Sequence, residues 1–174
     1  SVVGWQIMAL QSARAAGLNV PEATLENADH YLDTVCNKEQ SRYSYQRGNQ
    51  PTHVMTAEAL LCRMYLGWKK DRPALGSGVR WLQEAHMPST DKPDIYYWYY
   101  ATQTMHHYGG EEWERWNLQM RDILVSTQEK NGANAGSWPT RDQHANSGGR
   151  IYTTSLAVCT LEVYYRHLPV FKQL

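Results

Sequence analysis

The sequence predicts an all-α fold of helix-pair repeats, arranged as an α/α toroid-type open arc or half-ring of about seven helices. Two observations support this prediction. Helices that are apolar on all sides alternate with helices that are apolar on one side, and alanines recur in one register. An all-round apolar helix needs neighbours on every side, whereas a one-sided helix can form an outer layer. A plain α-solenoid with less curvature uses the same packing and is the alternative architecture.

The predicted inner helices are apolar around most of their circumference. The third of them carries consecutive aromatic residues from Tyr96 to Tyr100, which cover every face of a helix. The predicted ranges of these inner helices are 2–16, 54–68, 95–108 and 153–167, and Pro169 ends the fold.

The predicted outer helices each carry one apolar stripe. Pro21 opens the first as a first-turn proline, Asp71 caps the second, and acidic residues suit the start of the third. Their predicted ranges are 21–36, 72–87 and 111–127.

A common register supports a true repeat. Alanine occupies an equivalent position in each inner helix, and an apolar pair follows 22 residues after each of the first three alanines. Small side chains let neighbouring helices approach closely, so we expect all four alanines to be buried. They are Ala9, Ala59, Ala101 and Ala157.

One corner of the chain combines an apolar pair, a glutamine, a glycine and a tryptophan before a threonine-rich helix start. We expect the glutamine to bond open carbonyls at the helix end, the glycine to turn the chain, and the tryptophan to pack over the corner. These residues are Ile123, Leu124, Gln128, Gly132, Trp138, Thr153 and Thr154.

This corner resembles the glutamine-tryptophan repeat of the squalene-hopene cyclase and protein prenyltransferase families, with four extra residues, 133–136, before the tryptophan. The resemblance implies the terpenoid cyclase-like α/α toroid. We expect one domain, 1–174, that is a fragment of a longer protein. The edge helices of such an arc expose apolar surface unless the rest of the parent protein or a second copy covers them.

Composition excludes several classes of partner. The formal net charge is zero, so no basic surface indicates nucleic acid binding. No apolar run is long enough for a membrane span. The abundance of tyrosine and tryptophan suits partly solvated surfaces that line a groove, because each of these side chains has an apolar body and a polar tip.

The catalytic motifs of these families are absent from the sequence. There is no Asp-x-Asp-Asp run, no Asp-Asp-x-x-Asp run, and no aspartate two residues before a cysteine. His106 and His107 point about 100° apart on a helix and cannot chelate one ion together. We therefore expect no metal site, no cofactor and no cyclase or prenyltransferase activity in this fragment.

Glu58 is the candidate catalytic residue if a proton donor exists, because it is a lone acid inside an apolar helix. One interpretation is a carboxylate paired with Arg63 or another base, and the other is a buried acid with a raised pKa. By contrast, Asp142, His144 and Arg150 are expected to be solvated loop residues.

Residues near the starts of the inner helices are expected to line the concave side and bind a ligand. Aromatic faces there suit an isoprenoid or a peptide surface, and polar residues at equivalent positions indicate contact with water. The candidates are Gln6, Thr56, Glu58, Tyr97, Trp98, Tyr100, Thr153 and Thr154.

Three functions fit these observations. The first is a non-catalytic repeat module that binds an apolar small molecule or a partner protein segment. The second is part of a terpenoid cyclase-like enzyme whose catalytic acid lies outside this fragment. The third is a structural scaffold, and fold alone does not decide among them.

Overall fold

A computed structural model describes residues 1–166. The prediction of an all-α fold is confirmed, since these residues form helices and no β-strand beyond isolated bridges. The chain divides into unit 1, Ser1–Leu82, and unit 2, Gln83–Leu174. The helices are α1 (Val2–Ala15), α2 (Glu22–Thr34), α3 (His53–Tyr65), α4 (Pro73–Ala85), α5 (Ile95–Tyr108), α6 (Gly110–Thr127), α7 (Ala145–Leu161) and α8 (Val163–Arg166).

The last predicted helix differs most from the observed one. α7 begins at Ala145 rather than at Thr153, and Gly149 interrupts it with a φ of +70°. Asp142 makes the early start possible, because its Oδ1 accepts the backbone N–H groups of His144 and Ala145, each at 2.8 Å. The predicted end of this helix at His167 and the predicted stop at Pro169 lie outside the described residues.

Of the helices that the sequence predicts to be inner, α3 and α5 bury most of their residues, whereas α1 and α7 are buried on one side. Ala59, Ala101 and Ala157 are buried, as predicted, but Ala9 is exposed, so that part of the prediction is wrong. Only Gly4 and Ile7 of α1 are buried. Within unit 1, α1 packs against α3 and α2 on one side, which leaves its opposite side open to solvent.

Unit 1 is held together by a buried arginine. Arg63 of α3 is 1% exposed, and its guanidinium binds Asp29 Oδ1 and Asp33 Oδ1 of α2, each at 2.5 Å. Its Nε donates to Tyr43 Oη at 3.1 Å, and its guanidinium carbon lies 4.8 Å from the centroid of the Trp68 ring. The predicted alternative pairing of Arg63 with Glu58 is therefore wrong, because two α2 carboxylates take the guanidinium.

In the glutamine-tryptophan corner, which carries Gln128 and Trp138, the predicted packing of Trp138 against the end of the sixth helix is confirmed. Trp138 is 5% exposed, and its Nε1 donates to the carbonyl of Leu124 in the last turn of α6 at 2.8 Å. Gln128 acts differently from the prediction. Its Nε2 donates to the loop carbonyl of Gly136 at 2.9 Å, because Trp138 and the Gln128 backbone N–H already bind Leu124.

We expect Arg63→Ala to lower the free energy of unfolding by about 3–5 kcal/mol, because it removes the charge that two carboxylates share. Arg63→Lys should recover only part of the loss, since an ammonium cannot reproduce the planar fork. Urea denaturation at neutral pH measures both effects. A loss under about 1 kcal/mol for the alanine variant would show that α2 and α3 associate without this network.

We expect Trp138→Ala to lower the free energy of unfolding by about 3–5 kcal/mol, the usual cost of truncating a buried large aromatic residue. Trp138→Phe retains most of the packing but not the donor to Leu124, so it should cost less. Denaturant unfolding checks both, with Trp5→Ala as the control because Trp5 is 45% exposed. Equal effects at positions 138 and 5 would contradict a role for the corner in stability.

Candidate functional site

The main candidate site in unit 2 is an apolar cavity beside the glutamine-tryptophan corner, which we call the corner pocket. Its volume is about 40 Å³, and its walls come from α5, α6, α7 and the loops between α4 and α5 and between α6 and α7. Most of the exposed lining is apolar, and its polar residues are Thr90, Thr127, Arg141, Asp142 and Thr153. The lining residues used below are Thr90, Ile95, Trp98, Ile123, Trp138 and Asp142.

A shallow depression runs along α6 next to this pocket, and we call it the α6 groove. Its volume is about 700 Å³, and it shares Thr90 and Ile123 with the corner pocket. Leu118 is the most exposed apolar residue in its lining, at 55% exposed. Ile123 is a second apolar residue in the α6 part, beside polar side chains that include Arg115 and Gln119. A groove with both apolar and polar walls thus leads to an apolar pocket.

Asp142 is buried in the wall of the corner pocket, so the prediction that it is a solvated loop residue is wrong. Besides capping α7, its Oδ2 accepts the backbone N–H of Ile95 at the start of α5 at 3.3 Å. Negative charge is favourable at helix N-termini, where backbone N–H groups lack partners. One carboxylate therefore fixes the starts of two helices. His144 is exposed as predicted, while Arg150 pairs with Glu129 at 3.0 Å.

The candidate ligand-binding residues of unit 2 fall into different environments. Trp98 and Thr153 line the corner pocket together. Tyr97 instead packs edge-on against Trp116, at 5.8 Å between ring centroids, and donates its hydroxyl to the carbonyl of His86. Tyr100 is fully buried. Thr154 is half-buried and accepts the backbone N–H of Trp138, which ties the loop to α7.

The candidate ligand-binding residues of unit 1 also lie in different environments. Gln6 is exposed on α1, and Thr56 is buried, where its Oγ1 accepts the backbone N–H of Tyr43 at 3.0 Å. Only Glu58 lines a cavity there. A lining shared by candidates from all inner helices stays a prediction.

Glu58 is a buried acid, as one interpretation predicted, and it pairs with the Ser1 ammonium, a base other than Arg63, as the other interpretation allowed. It is 4% exposed, and its Oε2 has no hydrogen-bond partner among the described residues. It lines a cavity of about 30 Å³ between α1 and α3, which we call the Glu58 cavity. Burial raises the pKa of this carboxyl to about 7, although the Ser1 ammonium at 3.7 Å and the Gly4 backbone N–H lower it.

Close approach of α1 creates the Glu58 cavity. A Cβ on Gly4 would lie within 2.6 Å of the Glu58 side-chain carbons Cγ and Cδ, so any larger residue at position 4 displaces the carboxylate. The cavity has room for about two water molecules, because one water needs roughly 10–15 Å³ of cavity volume. Bound water therefore fits beside Oε2, whereas an isoprenoid chain does not.

Sequence reasoning missed the α6 groove and the role of Asp142. Position 142 lies in a polar stretch without helical periodicity, so the sequence offers no sign that its carboxylate is buried. Its role as a cap could be recognised only with the observed start of α7 at Ala145, which the sequence placed at Thr153.

The described residues contain no group of three His, Cys, Asp or Glu side chains that could hold a metal ion. Within the same part of the chain, no helix is long and apolar enough to cross a membrane. Comparisons with protein-family models, curated proteins and solved structures found no match to this chain.

We expect the free energy of unfolding to fall as pH rises from about 4.5 to 7, because native Glu58 keeps its proton in this range while the unfolded chain loses it. The fall attributable to Glu58 is on the order of 3 kcal/mol. Glu58→Gln should abolish this part of the pH dependence and be at least as stable as the wild type at pH 8.

Urea denaturation at several pH values and a carboxyl NMR titration provide the measurements. Glu26→Gln is the matched control, because Glu26 is exposed on α2. Titration of Glu58 near 4.3, the value of a free glutamate, would contradict a buried acid.

Proposed function

We propose that this chain is a squalene cyclase-like helical repeat module without catalytic activity, which binds a segment of a partner protein in unit 2. The main support for this proposal is that the α6 groove is continuous with the corner pocket, since both are lined by Thr90 and Ile123. Peptide recognition commonly combines pockets for apolar side chains with polar contacts along the segment.

Volume favours a protein segment over an apolar small molecule. The corner pocket of about 40 Å³ is far smaller than the roughly 150 Å³ apolar cavity that binds benzene. It therefore fits one small apolar side chain and not a prenyl chain. The α6 groove is larger but open. Its wall combines apolar surface with polar side chains such as Arg115 and Gln119, which suits a peptide that carries both kinds of side chain.

The chemistry of the pocket supports binding rather than catalysis. Asp142 is the acid in its lining, and backbone N–H groups of Ile95, His144 and Ala145 occupy its oxygens. Both oxygens of this carboxylate therefore cap helix starts, and neither is left for a bound molecule. Trp98 and Trp138 add aromatic surface, which is frequent at the centre of protein interfaces.

A second candidate function, part of a terpenoid cyclase-like enzyme, is favoured by Glu58. Its pKa of about 7 makes a proton available near neutral pH. The Glu58 cavity of about 30 Å³ does not admit a terpenoid, so this function requires residues outside unit 1 to form the substrate site.

We expect a displayed library of random peptides to yield binders with one small or medium apolar anchor residue. Leu118→Glu should weaken a selected peptide about tenfold or more, because it places a charge in the α6 groove. Val125→Glu is the matched control, since Val125 is 53% exposed on the same helix and lies outside the groove lining. Fluorescence anisotropy with a labelled peptide measures both dissociation constants.

Two results would contradict this proposal: equal weakening by both variants, or a library without binders to the folded protein. Incubation with squalene and with prenyl diphosphates separates the two candidate functions. We expect no turnover, and turnover that disappears in Glu58→Gln would establish the enzymatic alternative.

A further inference from the structure

The first inner helix, α1, leaves one side open. Trp5, Ala9 and Ser12 are exposed on this side, while Gly4 and Ile7 on the other side are buried. The exposed side carries no charged residue at these positions, and its small residues would allow another helix to approach closely. We call the side formed by Trp5, Ala9 and Ser12 the α1 open face.

The last inner helix, α7, also leaves one side open, but it is the opposite side. Ile151 is 83% exposed and Val158 is 38% exposed, with the exposed Ser155 between them. The other side, which includes Thr153 and Ala157, is buried. We call the side formed by Ile151, Ser155 and Val158 the α7 open face.

The repeat register relates these two faces to each other. When the sequences of α1 and α7 are aligned at Ala9 and Ala157, Trp5 is equivalent to Thr153 and Ser12 to Thr160. Thr153 and Thr160 are buried, so the α1 open face corresponds to the buried side of α7. The same alignment places Ser155 on Ile7, so the α7 open face corresponds to the buried side of α1. Each edge helix thus exposes the surface that its counterpart buries.

Unit 1 shows how two such faces pack. Val3 and Gly4, on the buried side of α1, line the Glu58 cavity together with Met55, Glu58 and Ala59 of α3. The register aligns Met55 with Trp5 and Ala59 with Ala9. The α3 surface that receives α1 is therefore the counterpart of the α1 open face. An α7 open face docked on an α1 open face would repeat a packing that the chain already uses.

We propose that the α7 open face of one copy of this chain binds the α1 open face of a second copy, in a head-to-tail interface. The two faces belong to different helices, so the contact is heterologous, and each bound copy leaves one face available for a further copy. Repeat proteins join their units through nearest-neighbour interfaces of this kind. This inference goes beyond the proposed peptide binding and uses none of its residues.

Sedimentation velocity over about a hundredfold range of concentration tests the proposal, and we expect the average mass of the wild type to rise with concentration. Ala9→Arg and Ser155→Arg each place a charge in one face, and each should weaken association about tenfold or more. Both positions are exposed, so circular dichroism should show intact helices. Ala23→Arg on α2 and Ser126→Arg on α6 are matched controls at exposed positions outside both faces, and they should associate like the wild type.

Mixing the two variants gives the decisive result. Ala9→Arg retains its α7 open face and Ser155→Arg retains its α1 open face, so the mixture should form a one-to-one complex that grows no further. A wild type that stays monomeric at every concentration would overturn the proposal. So would variants that associate like the wild type, or a mixture without a complex, which would indicate a symmetric contact instead.

Discussion

Helix α5 must be covered around its whole circumference, and the arrangement of unit 2 depends on this constraint. Every residue of α5 except Tyr96 is buried, and α6, α7 and α8 all pack against it. Burying so much tyrosine and tryptophan requires partners for their polar atoms. Tyr97 donates to His86, while Thr102 accepts the indole N–H of Trp116. The aromatic helix is therefore fixed by hydrogen bonds as well as by packing, and the corner pocket forms at its first turns.

The sequence predicted the features that depend on periodicity and local signals, and it failed where contacts between distant residues decide. α5 coincides with its predicted range because Asp94 caps its start and Gly109 ends it. The packing of Trp138 against the end of α6 was predicted correctly, because the spacing of the apolar pair, Gln128 and Gly132 places a turn directly before it. Asp142 was misjudged, because a carboxylate in a polar loop is usually solvated. Its burial depends on Ile95, 47 residues earlier in the chain, whose N–H group it binds.

Arg63 and Glu58 are both buried in α3, and they show that burial alone does not determine which group neutralises a buried charge. Arg63 and Glu58 are five residues apart, so their side chains leave the helix in different directions. Arg63 lies next to α2, where two aspartates neutralise it and tolerate its burial. Glu58 lies next to α1, which offers backbone and small side chains rather than a basic side chain. Its charge is therefore poorly compensated, and protonation relieves the cost that ionisation would impose.

The exposure of Ala9 follows from the same packing rule that buries Ala157. An inner helix of a repeat has two apolar sides, and each side needs a neighbouring helix. α1 has a partner on the side of Ile7, and α7 has one on the side of Ala157. In the predicted register, Ala157 is thus buried where a neighbouring helix packs on its side, whereas no described helix packs on the side of Ala9. The sequence correctly predicts small residues on the sides of α1 and α7 that carry these alanines. It does not determine whether such a side is covered by the same chain or by another molecule.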